Sequence, residues 1–331
     1  MKAPGTLLLN RREIASLLTL GEYIQLVEEA FKSYSRREIL TPGLLHVDSG
    51  DGEFHIKAGG IVLEKPYFGL KSNGSFFQNR TRFGMPSIQG TILLSDGENG
   101  YPLALMDSME ITIQRTGAAT AVAAKYLARA DSGVVTICGC GHQGRVQLRA
   151  VAGVLPIRRA YAYDRDAAAA EQFATEMSAE LGIQVTFTTA LKAAAGDSDI
   201  VVTCTPAKES YLRLEDIREG TFISAVGADS PDKQELDSRL LSSNTVVADI
   251  MEQCIRVGEI HHAIRKGLLT PDRVHAELGD ILVGNKAGRT SDREITIFDS
   301  TGTALQDVAA AVAVFRRAVS RNLGRFFNFA E

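Results

Sequence analysis

This sequence has few cysteines, no long apolar run and no excess of positive charge. Each of these absences argues against a class of protein. Four cysteines in 331 residues are too few for a fold held by disulfides, so we expect a reducing, cytoplasmic location. The longest uninterrupted apolar run, 308–315, is far shorter than the ~18–20 residues of a membrane span. A net charge of −4 provides no overall positive field for nucleic acid or an anionic membrane. The first residues also lack the pattern of a signal peptide.

The chain does have enough apolar residues, 45% of the total, to build a substantial core. Its length corresponds to roughly two domains of ~100–200 residues each. No internal repeat or low-complexity linker divides it. These features predict a two-domain globular protein.

The first third of the chain changes from helical to strand periodicity. Apolar residues recur at helical spacing over 11–40 and predict one helix there. From 41 to 107, short apolar runs alternate with Gly, Asn, Asp and Pro, which predicts an antiparallel or mixed sheet with tight turns at 51–52 and 98–100. An alanine-rich helix over 111–128 has small apolar residues on nearly every face, so we expect it to be buried or packed against another chain.

The rest of the chain alternates strands with helices. It opens with a β-branched run that ends in glycine, as a strand buried on both faces does. Strands and helices follow without a long loop up to a strand at 295–301, which is typical of a doubly wound parallel sheet. A last amphipathic helix covers 303–320, and we expect the tail beyond it to return to the first domain. The sequence thus predicts an α/β fold, with a doubly wound parallel sheet over 116–302 and an α+β domain made of 1–115 with 303–331.

The strongest motif is the glycine turn, Gly139–Gly144, with the sequence GCGHQG. It matches G-x-G-x-x-G, closes a predicted buried strand and opens a helix, as a dinucleotide-binding turn does. The first glycine makes the tight turn, Gly141 lets the backbone approach a pyrophosphate, and Gly144 lets helix and strand pack closely. The N–H groups at the start of the helix, at His142 and Gln143, would face the phosphates. An ordinary glycine-rich turn of another α/β fold is the alternative.

Asp164 ends the next predicted strand, twenty residues beyond Gly144. A carboxylate there accepts hydrogen bonds from the adenosine ribose hydroxyls and repels a 2′-phosphate, which favours NAD over NADP. The following residue, Arg165, is able to bind that phosphate instead. We therefore expect NAD(H) as the preferred coenzyme, with NADP(H) as the alternative.

Segments along nearly the whole chain resemble one known family. They are GLKSNG (69–74), QRTGAATAVAAKYLA (114–128), the CGCGHQG turn, ISAVGADSPDKQEL (223–236), VGEIHHAI (257–264), VHAELGD (274–280) and ITIFDSTGTALQD (295–307). On these segments, and on AVGADSP and IFDSTG above all, the sequence resembles the ornithine cyclodeaminase/μ-crystallin family. That family also holds archaeal-type alanine dehydrogenases and imino-acid reductases.

The resemblance implies a homodimer in which each subunit joins a discontinuous substrate-binding and dimerisation domain to a Rossmann domain. It implies that NAD(P) binds across the cleft and that the reaction interconverts an amino acid and its imine. Lys71 and Arg115 would face the substrate carboxylate, and Asp229 together with Lys71 is assigned to catalysis. Further positions would line the nucleotide or the nicotinamide: Ser87, Gln143, Asp164, Thr205, Val226, Gly227, Lys233 and Thr301.

Two positions depart from the family pattern. The arginine that the family usually has just after a proline near residue 44 is replaced by Leu44 or Leu45, in the segment TPGLLHV. The carboxylate that helps to handle the amine in ornithine cyclodeaminases is replaced by His55. Both changes argue against ornithine cyclisation. Lys57 falls on the same strand face as His55 and is able to supply the missing positive charge, so both residues join the candidate substrate site.

Hydride transfer at the α-carbon of an amino acid itself requires a cationic clamp for the carboxylate, a group that moves the amine proton, and a nearby nicotinamide. Lys71 and Arg115 provide the cations, with a surface lysine and a structural salt bridge as their alternatives. Asp229 falls at the predicted carboxyl edge of the parallel sheet, where such sheets bind ligands, and a helix N-cap or a turn aspartate before Ser-Pro is its alternative. His55 is either a second acid/base or a strand histidine with an ordinary hydrogen bond.

We expect no metal site. His261 and His262, with Glu259 and His275 nearby in sequence, would point about 100° apart on a helix and do not share a face. Cys138 and Cys140 have no second pair, so packing is the favoured role for these small residues.

The sequence therefore predicts an NAD(P)-dependent oxidoreductase that interconverts a small L-amino acid and its imine, as an alanine dehydrogenase or an imino-acid reductase does. One alternative is an ornithine cyclodeaminase, which forms proline and ammonia and recycles its coenzyme within each turnover. A non-catalytic, coenzyme-bound protein of the μ-crystallin kind is the other.

Overall fold

The computed structural model describes residues 5–329, which form two compact units. The first unit extends to Arg115 and resumes at Thr303, and the second unit is Thr116–Gly302. Within the described residues, no helix combines the length and the apolar character that crossing a bilayer requires.

The described residues form the following strands and α-helices. The strands are β1 (Thr6–Leu9), β2 (Ile39–Ser49), β3 (Gly52–Val62), β4 (Pro66–Ser75), β5 (Ile88–Asp96), β6 (Pro102–Asp107), β7 (Val134–Cys138), β8 (Arg159–Tyr163), β9 (Gln184–Phe187), β10 (Ile200–Thr203), β11 (Phe222–Ala225), β12 (Thr245–Ala248), β13 (Ala276–Glu277), β14 (Thr296–Asp299) and β15 (Arg325–Phe327). The helices are α1 (Arg11–Ala15), α2 (Leu20–Ser35), α3 (Asn79–Phe83), α4 (Met109–Leu127), α5 (His142–Ala152), α6 (Ala167–Leu181), α7 (Leu191–Asp197), α8 (Ser238–Ser243), α9 (Met251–Cys254), α10 (Glu259–Arg265), α11 (Leu278–Leu282) and α12 (Ala304–Ser320).

The first unit is built on a seven-stranded sheet in the order β15-β1-β6-β5-β4-β3-β2. β1 pairs with β6 in parallel, and the other neighbours are antiparallel. β15, near the end of the chain, pairs with β1 at one edge. Side chains along β4 alternate strictly between buried and half-buried, because successive residues of a strand point to opposite faces. The mixed sheet expected from 41–107 is therefore present.

The second unit contains an eight-stranded parallel sheet in the order β13-β12-β14-β11-β10-β7-β8-β9. Parallel sheets are covered on both faces, and β10, β11 and β14 are accordingly buried along their whole length. The chain order reverses between the neighbours β7 and β10, and sheets of this kind bind ligands at the carboxyl ends of the strands where the order reverses. The expected doubly wound Rossmann-type sheet is confirmed.

The single helix expected over 11–40 is wrong, because the chain forms α1 and α2 there and begins β2 at Ile39. The break falls at Thr19, whose hydroxyl accepts a hydrogen bond from the N–H of Glu22, while the Glu22 carboxylate accepts one from the N–H of Thr19. This capping box starts a new helix. Apolar residues on its two sides therefore belong to different helices, although their spacing looks continuous in the sequence.

Helix α12 lies on β3 and β4 and brings the last part of the first unit to its sheet. Two glycines permit the close approach. A Cβ on Gly59 would lie 3.2 Å from the Cβ of Ala304, and a Cβ on Gly69 would lie 2.5 Å from Cγ2 of Val308. The packing at these glycines sets how closely Asp307, on the same helix, approaches β4.

The substitution Gly69→Ala tests this packing. The added methyl group would push against Val308 and should lower the free energy of unfolding by about 1–3 kcal/mol, the usual cost of overpacking, in urea denaturation. Gly43→Ala is the matched control on β2, since a Cβ there meets nothing within 4 Å. Its effect should stay within about 1 kcal/mol. Equal losses in the two variants would contradict the proposed role of the glycine.

Candidate functional site

Two cations share one carboxylate in the first unit. Lys71, on β4, places Nζ 2.6 Å from Oδ2 of Asp307, on α12. Arg115, on α4, places Nε 3.1 Å from Oδ1 of Asp307 and donates from Nη1 to the side-chain oxygen of Gln306 at 3.2 Å. The three charged side chains are only 3%, 2% and 6% exposed for Lys71, Asp307 and Arg115. Such a buried group of charges is stable only when its members compensate one another.

Burial and neighbouring charge shift the protonation of this group. Burial lowers the pKa of Lys71; Asp307 opposes this shift, Arg115 and Lys57 add to it, and the pKa reaches about 7. Burial acts to raise the pKa of Asp307, but the charges of Lys71, Arg115 and Lys57 outweigh burial and hold it below its usual range. Asp307 therefore stays ionised, while Lys71 gains and loses its proton near neutral pH.

Lys57 is a third buried cation beside this pair. It lies on β3 directly opposite Lys71 of β4, and it is 4% exposed. Cross-strand partners have Cβ atoms about 5 Å apart, and like charges there repel each other. Lys57, Lys71, Arg115 and Asp307 are called the cation cluster below, and it combines three basic groups with one acidic group.

Two histidines share a glutamate beyond Lys57 on the same face of β3. His46 of β2 is the register partner of His55, and their rings meet edge to face with centroids 4.5 Å apart. Glu53 lies 2.9 Å from Nε2 of each histidine. One ligand atom from each of these three residues lies within 4.8 Å of the others, and zinc accepts such donors. The positive charge of Lys57 on the same face opposes a dication.

In the second unit, the glycine turn has the geometry that a dinucleotide requires. Gly139 has a φ of 105°, and α5 starts three residues later at His142. A Cβ on Gly144 would collide with the carbonyl oxygen of Gly139, so this close packing of helix on strand requires glycine. A Cβ on Gly141 would meet nothing within 4 Å, which leaves space at the start of the helix. The turn therefore fits a pyrophosphate that accepts hydrogen bonds from the first N–H groups of α5.

The structure brings Asp164 to the glycine turn. Its Oδ2 accepts a hydrogen bond from the N–H of Cys140 at 2.8 Å, and its Oδ1 accepts one from the N–H of Asp166 at 2.9 Å. The carboxylate thus lies just beyond the carboxyl end of β8, where a dinucleotide-binding fold holds the adenosine ribose. Arg165, next to it, is exposed.

Glu235 accepts hydrogen bonds from loops at the edge of the second sheet. Its role is not predicted from the sequence. Its Oε1 accepts hydrogen bonds from the N–H and the hydroxyl of Thr205, both at 2.7 Å, and from the hydroxyl of Tyr211 at 2.8 Å. Its Oε2 accepts from the N–H of Gly227 at 3.0 Å. Burial raises the pKa of Glu235 in spite of these bonds. A glutamate in the segment KQEL gives no sequence signal of this position, because charged residues are mostly exposed.

Asp229 follows β11 and pairs with Lys233. The Lys233 ammonium donates to Oδ1 of Asp229 at 2.6 Å, and the aspartate side chain is 38% exposed. No helix begins at Asp229, which excludes the N-cap alternative but not the turn alternative. The sequence analysis assigns Lys233 to the nucleotide, whereas here its side chain contacts Asp229. The carbonyl oxygen of Lys233 accepts a hydrogen bond from Nε2 of His262 at 2.8 Å.

The other candidate residues are distributed over both units. Thr301, in the second unit, donates from its hydroxyl to Asp249 at 3.1 Å and accepts from Gln253 at 2.9 Å. Val226 follows β11, whereas Ser87 belongs to the first unit, just before β5. Each histidine that was considered for a metal site instead makes a hydrogen bond to a different backbone carbonyl. His261 contacts the carbonyl oxygen of Ile255, His262 that of Lys233, and His275 that of Ala287.

The doubly wound sheet and its glycine turn define a protein of the dinucleotide-binding class. The model of the ornithine cyclodeaminase/mu-crystallin family matches residues 5–322, and the chain belongs to this family. The resemblance noted in the sequence is therefore confirmed.

Solved structures similar to the chain over nearly its full length include three oxidoreductases. An archaeal alanine dehydrogenase dimer with bound NAD is 39% identical, with a TM-score of 0.93, and the match covers 98% of this chain and 99% of that one. The Δ1-pyrroline-2-carboxylate reductase of Thermococcus litoralis, in complex with NADH and L-proline, is 35% identical with a TM-score of 0.90, over 97% and 99%. The iminosuccinate reductase of Paracoccus denitrificans, in complex with NAD⁺, is 31% identical with a TM-score of 0.87, over 97% and 98%.

Proposed function

We propose that this protein is an NAD(H)-dependent oxidoreductase that interconverts a small L-amino acid and its imine. The observation that carries the proposal is the cation cluster, because buried Lys71 and Arg115 share a single carboxylate and have capacity for a second anion. The glycine turn and Asp164 support dinucleotide binding. The three oxidoreductases, whose structures hold NAD or NADH, support the same function.

The residues that hold the coenzyme are the glycine turn and the loops around it. Gly139–Gly144 receive the pyrophosphate, and Asp164 receives the ribose hydroxyls, which favours NAD over NADP. When bound there in its reduced form, the coenzyme would supply the hydride that, with a proton on the nitrogen, converts the C=N bond of the imine into the C–N bond of the amino acid. Further residues assigned to the coenzyme are Ser87, His142, Gln143, Arg165, Thr205, Val226, Gly227, Lys233 and Thr301.

Lys71 and Arg115 hold the carboxylate of the substrate. Each of them bonds to a different oxygen of Asp307, so both cations are fixed before the substrate arrives. A preorganised pair binds an anion at a lower entropic cost than two mobile side chains. Lys57 and His55, on the neighbouring strand, complete the polar wall of this site.

Asp229 moves the proton at the substrate nitrogen. It takes a proton from the ammonium group before oxidation, or returns one after reduction. Lys233 stabilises the ionised carboxylate through its contact at 2.6 Å. Charge compensation of this kind keeps an aspartate available as a base.

We also infer a homodimer formed through the face of the first sheet that lies opposite α12. Leu45, Val47 and Phe54 lie on this face and are 55%, 41% and 38% exposed. An apolar surface of this kind marks an interaction site. The archaeal relative, described as a dimer, favours a second copy of the chain as the partner.

Oxidation of NADH with a panel of imines tests the function directly. Pyruvate with ammonia, oxaloacetate with ammonia and Δ1-pyrroline-2-carboxylate should be assayed at the absorbance band of reduced nicotinamide. We expect one NADH consumed per amino acid formed with at least one of them. Ornithine converted to proline and ammonia without net change in NADH would instead identify a cyclodeaminase. Tight coenzyme binding without turnover of any substrate would identify a binding protein.

Asp229→Asn should lower turnover by at least about 10², the scale of an acid/base contribution. Its affinity for NADH, measured by coenzyme fluorescence, should change little. Asp272→Asn is the control, since this aspartate is exposed and has no role in the proposed site. Turnover of D229N equal to that of D272N would remove Asp229 from the mechanism.

The pKa of about 7 at Lys71 predicts a pH dependence of substrate capture. Lys71 is charged below this pH and binds the carboxylate, whereas above it the ammonium loses its proton and the attraction is lost. Because kcat/KM reports the free enzyme, kcat/KM should fall with rising pH above about 7. Lys71→Arg keeps the charge at all accessible pH values, so its profile should lack this fall. An identical alkaline limb in both enzymes would assign it to another group.

The homodimer is tested by light scattering. The unmodified protein should have twice the mass of one chain, and Leu45→Lys combined with Phe54→Lys should reduce it to that of a single chain by placing charges in the interface. Phe187→Lys, at a residue 42% exposed in the second unit, is the control and should remain dimeric. A monomeric unmodified protein would contradict this part of the proposal.

A further inference from the structure

Three buried carboxylates of the second unit are linked to one another through the backbone. Asp299 ends β14, Glu259 begins α10, and Glu235 lies between β11 and α8. Their relative exposures are 1%, 0% and 0%. Asp299 and Glu259 each accept hydrogen bonds from the backbone of the next of the three, and Glu235 accepts them from loops at the sheet edge. The three residues are called the carboxylate relay below.

The first link of the relay joins β14 to α10. Oδ1 of Asp299 accepts a hydrogen bond from the N–H of Glu259 at 3.2 Å, and Oδ2 accepts one from the N–H of Ile260 at 2.8 Å. A Cβ on Gly258 would lie 3.0 Å from both of these oxygens, so the carboxylate lies directly against the start of the helix. Because α10 has only seven residues and so short a helix has little stability of its own, Asp299 fixes where Glu259 begins it.

The second link joins α10 to the loop that follows β11. Oε1 of Glu259 accepts a hydrogen bond from the N–H of Glu235 at 2.7 Å, and Oε2 accepts one from the N–H of Leu236 at 3.2 Å. Both oxygens of one carboxylate therefore hold two consecutive backbone groups. The side chain of Glu235 in turn accepts the hydrogen bonds from Thr205 and Gly227 that are described above. Glu259 thus fixes the backbone from which Glu235 holds two loops.

These two loops leave the sheet at its carboxyl edge. The last residues of β10, β11 and β14 are register partners, since Thr203 pairs with Ala225 and Ala225 pairs with Asp299. The three strands therefore end side by side, and Thr205 and Gly227 each follow two residues beyond a strand end. Ligands bind at this edge in parallel sheets of this kind.

Keeping the relay buried costs the protein stability. Burial raises the pKa of Asp299 to about 8, and it raises the pKa of Glu235 as well. Burial also raises the pKa of Glu259, and the charges of Glu235 and Asp299 add to this rise. A carboxyl group whose pKa is raised by folding destabilises the folded state when it is ionised. Since apolar packing often stabilises a fold better than buried charge does, the cost favours a functional role for the relay.

We propose that Glu259 and Asp299 are positioning residues for the coenzyme. They act through Glu235, whose side chain holds the loops of Thr205 and Gly227. The inference rests on the proposed function, because that function assigns both loops to NAD(H). Loops that are ordered before the coenzyme arrives bind it at a lower entropic cost. The relay therefore contributes to coenzyme affinity without contacting the reacting atoms.

Glu259→Gln tests the relay with a side chain of nearly the same shape. An amide has one acceptor oxygen, so the N–H of Glu235 or that of Leu236 loses its partner. The dissociation constant for NADH, measured by coenzyme fluorescence on the folded variant, should rise about 10-fold, the scale of one unmade buried hydrogen bond. Asp299→Asn, one link further from the loops, should raise the same constant.

Asp199→Asn is the matched control. Asp199 is a carboxylate of the same unit that is 6% exposed, and its Oδ2 also accepts two consecutive backbone N–H groups, from Gly133 at 2.8 Å and from Val134 at 3.0 Å. It lies just before β10, at the amino edge of the sheet. The substitution should lower the Tm and leave the dissociation constant for NADH unchanged.

A double-mutant cycle tests the path through Glu235. Thr205→Val removes the hydroxyl that donates to Glu235 at 2.7 Å. Since coupled residues have non-additive effects, Glu259→Gln combined with Thr205→Val should raise the dissociation constant by less than the product of the two single effects. A combined effect equal to that product would overturn this path.

An unchanged dissociation constant in a folded Glu259→Gln or Asp299→Asn variant would overturn the inference and leave the proposed function standing. An equal rise in Asp199→Asn would also overturn it, because general destabilisation would then explain the loss. Failure of the unmodified protein to bind NADH would overturn the proposed function together with the inference.

Discussion

The ion pairs made by Asp307 are the constraint on which the substrate half of the account depends. One buried carboxylate receives Lys71 on one oxygen and Arg115 on the other, and helix α12 can carry it there because Gly59 and Gly69 let that helix lie close to the sheet. Without it, two cations would be buried against each other at a high electrostatic cost. With it, they are fixed and still carry excess positive charge. The proposed binding of the substrate carboxylate thus depends on the same ion pairs that join α4, α12 and β4.

A second buried carboxylate organises the other unit in a similar way. Glu235 accepts hydrogen bonds from two loops that leave neighbouring strands at the carboxyl edge of the parallel sheet. The glycine turn approaches the same edge after β7. A rigid arrangement of backbone N–H groups is what a pyrophosphate requires. Because loops at a sheet edge have few apolar contacts of their own, a buried charge that accepts several hydrogen bonds is an effective way to fix them.

The parts that could be predicted from the sequence are those governed by local pattern. Continuous β-branched runs predicted the parallel strands, and Gly139, Gly141 and Gly144 predicted the turn, because both signals lie within a few residues. The break at Thr19 was missed because a capping box interrupts the helix without interrupting its apolar spacing. The role of Asp307 could not be predicted because its partners, Lys71 and Arg115, lie far from it in sequence. The role of Glu235 could not be predicted because a glutamate in such a segment resembles an exposed surface residue. The His46–His55 pair depends on strand register, which the sequence alone did not fix.

The most direct measurement of the central claim is a crystal structure of the protein with NAD⁺ and the L-amino acid product. The account predicts that the α-carboxylate of the product lies within salt-bridge distance of both Lys71 and Arg115, while Asp307 retains its contacts with them. A well-defined product whose carboxylate is bound by other residues, with Lys71 and Arg115 contacting only Asp307, would contradict it.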